Sequence, residues 1–192
     1  MDVELVEQNY LDLVRAMPEA SVFYAVKANP ADEILARLAT LGSNFDTASI
    51  GEIEMCLRHG VAPHRISFGN TIKKQRDIAA AYDLGVRLYA FDSVEELQKI
   101  AESAPGSKVF CRILVDCDGA EWPLSRKFGC EIPMAVDLLA QAKALGLDPY
   151  GISFHVGSQQ TQLEQFDKAI AQSRELFAAL AARGINLRMI NV

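Results

Sequence analysis

Several apolar runs of this sequence end on side chains able to do chemistry. Val22-Phe23-Tyr24-Ala25-Val26 is closed by Lys27 and followed by Ala28-Asn29-Pro30. A lysine partly withdrawn from water favours the neutral amine, the form that attacks an aldehyde or ketone. A lysine snorkelling out of a strand end is the alternative reading. A later run, Gly151-Ile152-Ser153-Phe154, delivers His155 and then Val156-Gly157-Ser158-Gln159. An imidazole there can stack on a flat aromatic ring, or it can be a core histidine satisfied by a backbone carbonyl. Backbone N–H groups and the Ser158 hydroxyl, in a small-residue turn expected to lead into a helix, suit a phosphate. Amine, imidazole and phosphate-sized turn together fit a phosphorylated aromatic aldehyde, pyridoxal 5′-phosphate. Asp46, Asp92 and Arg112 fall at the ends of other apolar runs.

These side chains need a frame. The sequence alternates short β-rich runs with helical periods, the pattern of an α/β fold with a parallel sheet. Strands are predicted near 22–28, 44–47, 65–69, 86–91, 108–115, 150–156 and 187–192. Helices are predicted near 2–16, 31–41, 50–59, 73–84, 94–103, 133–145 and 162–183. Ser49-Ile50-Gly51-Glu52 and Ser93-Val94-Glu95-Glu96 match the capping-box spacing, and Pro30 and Pro133 fall where first-turn prolines belong. A doubly wound dinucleotide fold should open with G-x-G-x-x-G after its first strand. Here that strand ends Lys27-Ala28-Asn29-Pro30, so an α/β barrel of the TIM (β/α)8 type, whose working residues lie at the C-terminal ends of strands, is favoured.

Composition narrows the function further. The 192 residues are 50% hydrophobic, which excludes intrinsic disorder. Nineteen Lys and Arg against 25 Asp and Glu give a net charge of −6, no field for a nucleic-acid backbone. No apolar run approaches a membrane span, and the acidic start lacks a signal sequence, so a cytoplasmic protein with neither nucleic-acid nor membrane partners is expected. Cys56, Cys111, Cys117 and Cys130 show no C-x-x-C pair and no zinc-ligand spacing, so no metal site is expected. Cys56 and Cys111, set among apolar neighbours, read as buried small hydrophobes. Lys73 and Lys74, just past a strand end, read as solvated.

Tyr24-Ala25-Val26-Lys27-Ala28-Asn29-Pro30 resembles the Schiff-base segment of the fold-type III pyridoxal-phosphate-dependent decarboxylases that act on ornithine, lysine, arginine or diaminopimelate. Further matches run in register: Phe45-Asp46-Thr47-Ala48-Ser49 with Glu52, Ser67-Phe68-Gly69-Asn70-Thr71-Ile72-Lys73, Phe91-Asp92-Ser93, Ser125-Arg126-Lys127-Phe128-Gly129, and Ser153 through Gln159. The Phe-Gly-Asn-Thr-Ile-Lys form is more similar to the bacterial ornithine decarboxylases than to the diaminopimelate enzymes. The resemblance implies an alanine-racemase-like barrel with pyridoxal 5′-phosphate held covalently by Lys27. It also implies His155 stacked on the pyridine ring, Ser158 on the phosphate, and Asp46, Glu52 and Arg112 lining the cofactor site. Glu52 also fits its capping box, and Asp46 and Arg112 could equally form an ion pair at the barrel rim.

The activity implied is decarboxylation of a small basic amino acid, ornithine to putrescine in polyamine synthesis, by a homodimer. The alternatives are lysine or diaminopimelate as substrate, or a non-catalytic pyridoxal-phosphate-binding protein. In this family the seventh strand runs on into a glycine-rich phosphate loop, an eighth strand supplies Glu-Pro-Gly-Arg, and a C-terminal β-domain follows. Residues 1–192 are therefore expected to be an incomplete barrel domain that stops inside its seventh strand, lacks the β-domain and is inactive by itself.

Overall fold

The computed structural model describes residues 2–122 and 127–192. They divide into two compact units, residues 1–70 with 76–88, and residues 71–75 with 89–192.

The first unit starts with α1 (Val3–Ala16), whose first turn is capped by Asp2 accepting the Leu5 N–H. Three parallel strands follow, β1 (Phe23–Ala25), β2 (Asn44–Thr47) and β3 (Ile66–Phe68). They pair in register Ala25–Asp46–Ser67, so neighbouring strands end together. Helices α2 (Asp32–Thr40), α3 (Ile50–Arg58) and most of α4 (Gln75–Asp83) complete it. Their apolar faces bury Leu35, Leu38, Ile53 and Ile78 against Phe45, Ile66 and Phe68 of the strands. Contact between strand and helix faces on this scale removes apolar surface from water and is the main source of the unit's stability. Ala31, not Pro30, is the N-cap of α2; Pro30 precedes the helix instead of opening it.

In the second unit β4 (Leu88–Phe91), β5 (Lys108–Arg112), β7 (Asp148–Ser153) and β9 (Met189–Asn191) lie in that order, with β5, β7 and β9 paired in parallel. A separate antiparallel pair joins β6 (Ala120–Trp122) to β8 (Ser158–Gln160). The helices are α5 (Val94–Ser103), α6 (Ile132–Ala144) and α7 (Glu164–Ala181). Among the described residues no helix is long and apolar enough to cross a membrane. All four cysteines are free and buried.

The seven expected strands and seven expected helices all occur, most within two residues of the predicted bounds. Two strands were missed, β6 and β8, which are three residues each and carry no apolar alternation. Gly157-Ser158 therefore does not turn directly into a helix: it enters β8, and α7 begins at Glu164. Strand β5 also ends at Arg112 and not near residue 115: the Ile113 N–H still donates to the Ser153 carbonyl, but Leu114 donates to the Cys130 carbonyl and the Cys130 N–H to the Arg112 carbonyl.

Candidate active site

In the first unit Lys27, Asp46 and Gly69 lie at or within two residues of the C-terminal ends of adjacent strands. Strand β1 stops at Ala25, and Lys27 sits in a single 3-10 turn, Val26–Ala28. The turn anchors itself through buried Val26 and leaves the Lys27 side chain exposed, so the burial expected at this strand end is not supplied by the first unit. Asn29 Oδ1 accepts the Ala31 N–H, and the Asn29 carbonyl accepts from the Tyr24 hydroxyl at 3.1 Å, fixing the path out of the strand.

Asp46 is half-buried in β2, and Ser67 Oγ donates to its Oδ1 at 2.6 Å. Ser67 is itself buried, and its carbonyl accepts from Thr47 Oγ1 at 2.7 Å. Gly69 follows on β3. A Cβ at Gly69 would lie 2.7 Å from the Asp46 Cγ and closer still to Oδ1, so only glycine leaves the carboxylate where it is. Glu52 performs its capping role: its N–H donates to Ser49 Oγ at 3.3 Å, and its Oε2 accepts the Ala48 N–H at 2.7 Å.

The second unit gathers Arg112, His155 and Ser158. Arg112 ends β5 opposite Ser153 of β7, and the chain reaches His155 two residues beyond β7. The Arg112 guanidinium lies over the Phe128 ring at 5.5 Å, and the Lys127 ammonium lies at 5.4 Å from the same ring, cation–π geometry for both. Ser125 and Arg126 of that motif lie outside the described residues. His155 is exposed, and its Nδ1 accepts the Gly157 N–H at 2.9 Å. Ser158 is half-buried at the start of β8.

The second unit also holds a group that sequence reasoning misassigned. Lys73, expected in solvent, is buried, its side chain fully so. Its Nζ lies 2.9 Å from Glu96 Oε1 and donates to the Ala90 carbonyl at 2.5 Å. Lys99 pairs with the other Glu96 oxygen at 2.5 Å and donates to the Lys73 carbonyl. Burial, against the attraction of Glu96, lowers the Lys73 pKa to about 8. Glu96 was expected to close a capping box with Ser93. Its N–H does reach Ser93 Oγ at 3.2 Å, but its carboxylate is drawn to the two lysines. The missed signal was Glu96 itself, an acid on the buried face of α5 that needs a cation.

A cavity of about 520 Å³ adjoins this group, lined by Ile72, Leu114 and Phe128 and by Asp92 and Lys127. The Gly129 N–H donates to Asp92 Oδ2 at 2.8 Å. Lys74 is exposed, as expected.

The residue types present fit pyridoxal phosphate, with a primary amine in the first unit and an imidazole, a hydroxyl and a guanidinium in the second. Comparison with known proteins agrees. Residues 3–192 match the family model described as pyridoxal-dependent decarboxylase, pyridoxal binding domain. A lysine/ornithine decarboxylase of Selenomonas ruminantium is 40% identical over 190 residues, covering 99% of this chain and 48% of the relative. An ornithine decarboxylase of Rattus norvegicus is 37% identical over 191 residues, covering 100% of this chain and 41% of the relative. A crystal structure of SrLDC in complex with PLP and cadaverine superposes with a TM-score of 0.90 at 40% identity, covering 98% of this chain and 47% of that one. The chain thus spans about half the length of the relatives it matches, and its fold is that of their α/β barrel domain. It belongs to the family of pyridoxal-dependent decarboxylases, within which it corresponds to the pyridoxal-binding domain.

Proposed function

We propose that the protein catalyses pyridoxal-phosphate-dependent decarboxylation of a basic amino acid, L-ornithine to putrescine, as a cytoplasmic homodimer serving polyamine synthesis. The observation that carries this reading is the match of residues 3–192 to the pyridoxal-binding model, with amine, imidazole and hydroxyl retained at strand ends. Lysine is the second reading, because the Selenomonas relative bears both substrates in its name.

Lys27 binds the cofactor covalently, and its exposed position lets an aldehyde reach the amine. His155 offers its ring face, held in plane by the Gly157 N–H on Nδ1. Ser158 and Arg112 bind the phosphate end by hydrogen bonding and charge. Asp46, fixed by Ser67, supplies a stationary negative charge at the strand ends. Bound pyridoxal phosphate would supply the electron sink for the pair left on Cα when carbon dioxide departs. The residues' task is to keep that geometry and exclude water from it.

The test is incubation with pyridoxal phosphate, borohydride reduction and peptide mass mapping. The cofactor mass is expected on Lys27 and absent in Lys27→Ala; attachment elsewhere overturns the reading. Carbon dioxide release from ornithine above lysine and diaminopimelate, measured in the full reading frame, supports the substrate. Attachment at Lys27 with no release from any of the three makes the protein a non-catalytic pyridoxal-phosphate binder.

A further inference from the structure

We infer that Gln160 is a positioning residue that sets the tautomer of His155 by holding one peptide plane, a role that rests on His155 being the cofactor's ring partner. Gln160 lies in β8, one residue beyond the quoted motif, and its side-chain amide is fully engaged. Nε2 donates to the Val156 carbonyl at 3.0 Å and to the Asp118 carbonyl at 3.1 Å, while Oε1 accepts the Gln162 N–H at 2.9 Å. Two carbonyls take the two amide hydrogens and an N–H takes the oxygen, so the orientation of the amide is determined.

The Val156 carbonyl and the Gly157 N–H belong to the same planar peptide unit. Gln160 holds its oxygen end, and the hydrogen end points at His155 Nδ1 from 2.9 Å. An N–H donor opposite Nδ1 requires a lone pair there, so the ring proton is on Nε2. This peptide would otherwise turn over easily. Gly157 has φ +99°, in a region that glycine enters at little cost, and rotation would present a carbonyl to Nδ1 and move the proton there. The strut has a local cost: Gln159, between Ser158 and Gln160, has φ +54°, left-handed for a side-chain-bearing residue. Gln160 also ties the turn to the segment before β6, where Cys117 Sγ donates to the His155 carbonyl at 3.4 Å. One amide therefore fixes both the ring that faces the cofactor and the turn that carries Ser158.

The inference is tested first without cofactor, by long-range nitrogen–proton correlation of the histidine rings in the full chain. The parent is expected to show His155 in the Nε2–H form alone. Gln160→Met, similar in length but with no N–H to donate, is expected to show both tautomers, with His59 and His64 unshifted as the check on folding. Gln160→Glu, whose carboxylate also cannot donate to Val156, should do the same if the methionine variant fails to fold. Gln159→Gly keeps the strut and should keep the Nε2–H form. Cofactor affinity of Gln160→Met should then fall about tenfold, the worth of one hydrogen bond. A folded Gln160 variant that retains the Nε2–H form alone, or a parent with mixed tautomers, overturns the inference. If the parent fails to bind pyridoxal phosphate, the functional reading falls, while the tautomer comparison still decides the role of Gln160.

Discussion

Replacing Glu96 with alanine should be among the most damaging single changes in the second unit. The carboxylate is 3% exposed and faces two ammonium groups, Lys73 at 2.9 Å and Lys99 at 2.5 Å. Glu96→Ala takes from the Lys73 ammonium, whose side chain is fully buried, the carboxylate that pairs with it at 2.9 Å. Removing one partner of a buried pair costs about 3–5 kcal/mol, a large part of the roughly 5–15 kcal/mol that holds a domain folded. With a urea slope of about 2 kcal/mol per molar, the midpoint should fall by about 2 M. Lys73→Met should cost less, about 1–2 kcal/mol, because Glu96 keeps Lys99 and the methionine fills the same space. The double change Lys73→Met with Glu96→Leu should recover most of the Glu96→Ala loss, since an apolar pair of similar volume carries no desolvation cost. The pH dependence has a definite sign. Lys73 in the folded chain holds its proton only up to about pH 8, whereas an unfolded lysine holds it to about 10.4, so the unfolded state binds more protons in between. Stability should therefore rise with pH across that window, and the rise should shrink in Lys73→Met. Urea melts at pH 7 to 10 measure all of this. A Glu96→Ala loss below about 1 kcal/mol, or a double variant weaker than Glu96→Ala, would refute the reasoning.

Gly69→Ala places a methyl against the Asp46 carboxylate, which must leave Ser67; a stability loss of about 1–3 kcal/mol by chemical denaturation is expected, with weakened cofactor binding by absorbance titration. Cys56 has its pKa pushed up to about 12 by burial and by the charge of Glu52. The folded chain keeps that thiol proton after the unfolded chain has lost it, so stability is intact below the ordinary thiol value and falls as pH rises toward 12; Cys56→Ala should flatten the fall between pH 9 and 10 by about 1 kcal/mol. All four thiols are buried and Cys111 Sγ lies 3.5 Å from Cys130 Sγ without a bond, so an aromatic disulfide reagent should find almost no thiol in the native chain and four after denaturation. Fewer than four would mean that a pair had been oxidised.

The elements were legible because their signals are local. Ser49 and Ser93 accept the N–H groups three residues on, and the apolar runs at 66–68 and 108–112 bury successive residues, as strands covered on both faces do. The positions of Lys27, Asp46, Arg112, His155 and Ser158, at or within a few residues of strand ends, were legible for the same reason. What stayed hidden depends on partners distant in sequence. Lys73 and Lys74 are adjacent and chemically identical, and only the fold, by setting Glu96 23 residues away, buries one and exposes the other. The strands β6 and β8 were invisible because three residues without alternation carry no period.

In each unit a half-buried carboxylate near the strand ends stands on buried polar atoms. In the first, Thr47 and Ser67, both within 1% of complete burial, hold one another and then the half-buried Asp46. In the second, Lys73 holds the Ala90 carbonyl on the strand that leads to Asp92, and Asp92 receives the Gly129 N–H. Buried polar groups of this kind contribute little net stability, and an ion pair such as Lys73–Glu96 can be worth less than an apolar substitute. What they supply is direction, because a hydrogen bond in a dry interior fixes an angle that apolar packing leaves loose. The proposed decarboxylation would need that kind of constraint on the residues around the cofactor. The arrangement predicts an ordering: apolar replacement of Lys73 with Glu96 should preserve folding while loosening cofactor geometry, so that stability and turnover separate in a single variant.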